Sequence, residues 1–137
     1  MTKQITNARL IANYQVEAQV ENFSYTMDYT EKNPENTSKG ASPSDMMLVA
    51  LSGCHLMTMI SFLNLKKIPF TRLKCRIEGE YSYEREGWFL DAQVKLITDA
   101  NLSPTNLDQA FEFIHRHCKI SSILSKNNNI DLAFELL

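Results

Sequence analysis

Between positions 46 and 63 the chain reads MMLVALSGCHLMTMISFL, a run that is apolar on nearly every face of an α-helix. Met46, Met47, Leu48, Val49, Leu51, Leu56, Met57, Met59, Ile60, Phe62 and Leu63 cover more faces than a surface helix presents, so this segment is expected to be buried all round. Its start is marked by Ser42-Pro43-Ser44-Asp45. Ser42 suits the N-cap, Pro43 the first helical position, and Asp45 the third, in the manner of a capping box with aspartate in place of glutamate. The helix should continue to about Leu65, and Pro69 ends the connection that follows. Gly53 lies inside it at a cost of roughly 1 kcal/mol relative to alanine, which points to another backbone or side chain approaching closely there.

A chain of 137 residues fits one domain, here 1–137, and can bury roughly two-thirds of its unfolded surface. Strict alternation of Leu10, Ala12, Tyr14, Val16, Ala18 and Val20 predicts a half-buried strand. Phe23, Tyr25, Met27 and Tyr29 repeat the pattern after a break at Glu21-Asn22, which makes a hairpin. Residues 30–41 are a polar loop. Leu73, Cys75, Ile77, Gly79, Tyr81 and Tyr83 alternate, 84–87 turn, and Trp88, Leu90, Ala92, Val94 and Leu96 alternate back as a second hairpin. A second helix starts at Ser103-Pro104, a short helical piece follows at 118–125, and Ile130, Leu132, Phe134 and Leu136 form a last strand. The expected order is ββ-α-ββ-α-β, an α+β class with a buried central helix. So long a buried helix needs more cover than one small chain supplies, and a homodimer with two central helices packed together would supply it.

Composition excludes some functions. A formal charge of −2, with no basic patch interleaved with aromatics, argues against nucleic acid as a partner. The N-terminal stretch MTKQITNARLIA lacks the apolar core of a signal peptide, and polar residues interrupt the apolar run, so neither export nor a membrane span is expected. Three cysteines, Cys54, Cys75 and Cys118, fit a reducing, cytoplasmic compartment better than a disulfide framework. Asn36-Thr37-Ser38 matches a glycosylation sequon, which carries little meaning without export.

The thiols are the residues through which chemistry could run. Cys75 sits on an inward strand face between Leu73 and Ile77 and reads as core. Cys54 has Ala50, Leu51, Met57 and Thr58 as helical neighbours; burial of that kind leaves a thiol inert, unless it is half of a redox pair. Cys118, in HRHCKISS, is either a thiolate favoured by a helix N-terminus and by Arg116, His117 and Lys119, or a core residue continuing Leu107, Phe111 and Ile114. His55 points about 100° away from Cys54 on a helix and is a poor base for it. His115 and His117 do not share a helix face, so no metal site is expected, nor any cofactor.

The segments GASPSDMMLVALSGC (40–54) and FIHRHCKISSIL (113–124), with this element order, resemble the OsmC/Ohr family (osmotically inducible protein C-like and organic hydroperoxide resistance-like proteins). The resemblance covers nearly the whole chain. It implies an intertwined homodimer with sites at the subunit interface, and a thiol-dependent peroxidase active on organic hydroperoxides, an antioxidant, stress-response role. On that reading Cys54 attacks the peroxide and becomes a sulfenic acid, and Cys118 resolves it to a disulfide. A small-molecule or lipoyl-type dithiol then reduces the enzyme.

Members of the family hold the thiolate with an arginine–glutamate pair. Ser44 and Asp45 stand nearest the glutamate position here, Arg9 is the arginine preceding the helix, and His117 flanks the second thiol. Asp45 lies about 180° from Cys54 around a regular helix. Lys119 stands where the family often has proline. These departures mark a divergent branch. They also open a second reading, a non-catalytic dimer of the same fold that binds a small apolar ligand in its interface cavity.

Overall fold

The computed structural model describes residues 2–33, 35, 37–84 and 86–137. Asn36 of the sequon and Arg85 of the second hairpin's turn lie outside the described residues. The chain divides into two units, residues 1–47 and 48–137.

In the first unit, β1 (Thr6–Ala12), β2 (Gln15–Val20) and β3 (Phe23–Met27) form an antiparallel meander in that order. The expected single strand across 10–20 is two strands, because the chain turns at Asn13-Tyr14. Asn13 takes φ 56°, a left-handed conformation that asparagine tolerates. A bulge between Leu10 and Ala12 offsets this turn, so Leu10 still faces Val16 and Ala8 faces Ala18. Thr6, Ala8 and Leu10 therefore share a face with Val16, Ala18 and Val20, and of the alternating residues in these two strands Ala12, opposite Gln15, falls on the other. The break at Glu21-Asn22 is a two-residue loop as expected, with Val20 opposite Phe23. The face itself is not the half-buried one expected: of its residues only Ala18 is buried, and Leu10 is 67 % exposed.

Asp28 orders the following loop. Buried, its carboxylate accepts from the amides of Tyr29 (2.8 Å) and Lys39 (3.1 Å) and from Asn33 Nδ2 (3.4 Å). Ala41 then bridges to Met27. At Gly40 a Cβ would stand 2.1 Å from the Thr26 carbonyl oxygen, so no side chain fits there.

Helix α1 (Pro43–Leu65) starts and stops as the sequence indicates. Ser42 Oγ accepts the Asp45 amide at 3.2 Å, the N-cap bond that satisfies one orphan donor. At the other end the Ile68 amide bonds Leu63 O (2.9 Å) and the Lys67 amide bonds Asn64 O (3.1 Å), with Lys67 at φ 56°. This is a Schellman stop with lysine where glycine is usual.

In the second unit, β4 (Leu73–Glu84) and β5 (Gly87–Thr98) make the long hairpin. Helices α2 (Pro104–His117) and α3 (Lys119–Leu124) then carry the chain across to β6 (Asn129–Leu136), which pairs parallel to β5. The α+β class stands, with the order βββ-α-ββ-α-α-β. Ser103 caps α2 by accepting the Asn106 amide at 3.1 Å. Asn128 joins α3 to the sheet: its Nδ2 donates to Leu124 O (2.9 Å) and its Oδ1 accepts the Leu90 amide (2.8 Å).

The core of this unit gathers Met59, Phe62 and Leu63 of α1, Leu96 of β5, Ala100 and Leu102 of the segment after it, Ala110 and Ile114 of α2, and Cys118. Within the chain α1 is buried on one stripe, Leu51, His55, Met59, Phe62 and Leu63, not all round. Val49, Met57 and Ile60 are exposed, Met57 by 71 %. The physical reason is supply: three strands and two short helices cover one side of a helix. The approach expected at Gly53 is likewise missing, since among the described residues nothing lies within 4 Å of a Cβ built there. Close approach occurs instead at Gly79, where Leu48 Cδ1 would be 2.9 Å from a Cβ. At 23 residues α1 is also long and apolar enough to cross a bilayer, correcting the expectation that polar residues interrupt it first.

Candidate functional site

Two thiols far apart in the chain meet in the second unit. Cys54 arrives from the middle of α1 and Cys118 from the corner between α2 and α3, where its φ of −73° and ψ of 102° break the helix for one residue. Cys118 is buried, Cys54 half-buried, and the two side chains lie close enough to act on one another. Burial, and then the Cys54 side chain, push the Cys118 thiol up to about 12; the Ser121 amide and the Thr58 hydroxyl act in the opposite direction.

Of the two positions weighed for Cys118, it occupies the core one, 0 % exposed and in one cluster with Ala110 and Ile114. The basic neighbours do not help it. Arg116 reaches Glu112 at 2.9 Å, His117 stacks on Phe113 with centroids 4.4 Å apart, and both, with Lys119, are exposed. The expected support from His117 is absent because successive residues of α2 fan around the helix, and Ile114 and Cys118 take the inward face.

His55 is the residue that sequence reasoning missed. Its Nδ1 lies 3.8 Å from the Cys118 sulfur. The same nitrogen lies 3.0 Å from Leu51 O, so it carries the ring proton and donates it. Burial lowers the His55 pKa, which keeps the ring neutral. His55 also lines a cavity of about 430 Å³ whose rim carries Asp108, Glu112, His115 and Asp131. Only its spacing hinted at a role: Leu51, His55 and Met59 recur every four residues along one helix face.

The other residues singled out sit as follows. Arg9 pairs with Glu17 at 3.2 Å across β1 and β2. Ser44 lies 3.2 Å from Ser42 Oγ, and Asp45 supplies the capped amide. Cys75, expected in the core, is half-buried and packed against the cluster, its thiol pushed up to about 11 by burial.

A pair of neighbouring cysteines at an α+β core, a central helix feeding one thiol and a helix junction the other, defines a class of small thiol proteins. Comparison with known families places it: OsmC-like protein matches residues 34–133, and the chain belongs to that family. Solved structures agree on the fold. An OsmC-like protein from Mycoplasma pneumoniae superposes with a TM-score of 0.80 at 21 % identity, covering 99 % of this chain and 98 % of that one. An organic hydroperoxide resistance protein from Legionella pneumophila gives 0.75 at 16 % identity, covering 99 % and 98 %. The organic hydroperoxide resistance protein OhrB of Bacillus subtilis gives 0.71 at 10 %, covering 98 % of each. No curated protein matches the chain.

Proposed function

We propose that this protein is a thiol-dependent peroxidase that reduces organic hydroperoxides through Cys54 and Cys118, in a stress-response role. The observation that carries the reading is that these two thiols, 64 residues apart in the chain, lie beside one another. The names of the Legionella pneumophila and Bacillus subtilis proteins, which share the fold, point the same way.

In this mechanism the Cys54 thiolate attacks the terminal peroxide oxygen. The O–O bond breaks, an alkoxide leaves and is protonated to the alcohol, and Cys54 becomes a sulfenic acid. Cys118 then attacks the Cys54 sulfur. Hydroxide leaves, takes up the Cys118 proton as water, and the disulfide closes. A dithiol, small or lipoyl-type, supplies two electrons: one of its thiolates opens the disulfide, its second closes on the first, and both protein thiols return.

The chain works in this reading as one domain and as an intertwined homodimer, which would cover the exposed Val49, Met57 and Ile60 of α1 and fill the space beside Gly53. It acts in the cytoplasm, where its three free cysteines stay reduced, and not in a membrane: the Met59, Phe62 and Leu63 face of α1 is already taken up by the protein's own core.

The test is consumption of cumene hydroperoxide in the presence of dithiothreitol. Wild type should turn over, Cys54→Ser should fall to the uncatalysed rate, and Cys118→Ser should lose the intramolecular disulfide. A wild type at the uncatalysed rate would sink the proposal and leave the ligand-binding dimer as the reading to pursue.

A further inference from the structure

Cys118 presents a chemical difficulty that the thiol pair alone does not solve. Its sulfur must become anionic twice in each cycle: as it attacks the oxidised Cys54, and as the group expelled when a dithiol opens the disulfide at Cys54. A leaving thiol departs faster the lower its pKa, and a sulfur buried among Met59, Ala110 and Ile114 is in surroundings that disfavour negative charge. Something near Cys118 has to accept that charge.

Three donors surround it. The Ser121 amide and the Thr58 hydroxyl both favour the anionic form, the Thr58 proton being shared with Cys54 O at 2.7 Å. The third is His55, whose Nδ1 is 3.8 Å from the sulfur. Leu51 O, 3.0 Å from that nitrogen, selects the tautomer with the proton on Nδ1, so the group facing the sulfur is an N–H and not a lone pair. The ring is 1 % exposed and lies on the inward stripe of α1, so only a small shift of its proton from Leu51 O toward the sulfur is needed. Neutral imidazole in this tautomer cannot take a proton from Cys118 at Nδ1; it can only donate.

We propose that His55 is a positioning residue for Cys118: its Nδ1–H, oriented by Leu51 O, turns part of its hydrogen bond to the sulfur and stabilises the Cys118 thiolate in closing and opening the Cys54–Cys118 disulfide. This rests on the redox reading of the thiol pair but not on the identity of the oxidant. No extra proton acceptor is required. On closure the Cys118 proton leaves with the departing hydroxide as water; on opening, the thiolate held by His55 is reprotonated by the incoming dithiol's second thiol or by water.

The test separates this inference from the peroxidase reading by forming the disulfide with diamide instead of a peroxide, then following its reduction by dithiothreitol. His55→Leu keeps an apolar filling without the donor, and His55→Asn places an amide N–H near the position of Nδ1. Reduction should slow about tenfold in His55→Leu and return to within about threefold of wild type in His55→Asn, at unchanged circular dichroism. Equal rates in wild type and His55→Leu would overturn the inference. So would equal slowing in both variants, which would mean a packing role only, and so would the failure of diamide to link Cys54 to Cys118. If cumene hydroperoxide is not consumed while the His55 pattern holds, the peroxidase reading fails and the inference stands.

Discussion

At the scale of single residues, three acidities set what the molecule does with pH. Cys118 and Cys75, pushed up to about 12 and about 11, are almost wholly protonated near neutrality. In Cys54→Ser, where only these two remain, iodoacetamide should label the native protein at least a hundredfold more slowly than the urea-unfolded protein at pH 7.5, a ratio followed by intact mass. Asp99 works the other way. Its carboxylate accepts from the amides of Thr71 and Arg72, each at 2.9 Å, and from the Thr71 hydroxyl, which hold its pKa down to about 2 from an ordinary 3.8. A carboxylate whose folded pKa is depressed stabilises the protein above its unfolded pKa, and that contribution fades as pH falls through the folded one. Asp99→Asn should therefore lower the urea midpoint at pH 7, and the gap from wild type should close between about pH 4 and pH 2. The thiols themselves were legible in the sequence, because cysteine at a helix centre and at a helix break is conspicuous. His55 was not: an imidazole one residue from Cys54 invites comparison with Cys54, and nothing local shows that the ring's neighbour comes from position 118.

At the scale of elements, periodicity and caps located most boundaries. Ser42 and Ser103 both make the bonds that the Ser-Pro pairs announced. The N-terminal meander was misread because a bulge restored the phase that a turn had broken, and alternation is blind to that. The Schellman stop of α1 offers a test of its own. Lys67 holds a left-handed backbone that costs an L-residue about 1 kcal/mol, so Lys67→Gly is expected to raise stability by about 0.5 kcal/mol after the extra unfolded-chain entropy of glycine is deducted. Thermal unfolding would check it. Asn128, which bonds α3 and β5 at once, should behave oppositely: Asn128→Ala leaves the Leu90 amide without its partner and should cost about 1–3 kcal/mol by urea unfolding.

At the scale of the whole molecule, the apolar surface is unbalanced. An α1 face carrying Val49, Met57 and Ile60 in the open is unusual for a protein that functions alone, and the proposed homodimer would bury it. Met57→Glu places a charge at the most exposed of these positions. Sedimentation should give a dimer for wild type and a monomer for Met57→Glu, and a monomeric wild type would defeat the intertwined arrangement.

What the sequence determined by itself was local: strand alternation, Ser-Pro helix starts, the all-round apolarity of the central helix, and the cysteines available for chemistry. Those signals act over a few residues, through backbone hydrogen bonds and side-chain period, and survive without knowledge of neighbours. Tertiary structure decided the rest. β6 returns parallel to β5 by way of α2 and α3, and the corner between those helices brings Cys118 beside Cys54 and His55. It also decided which stripe of α1 is buried, because a helix apolar on every face carries no instruction about which side meets the sheet.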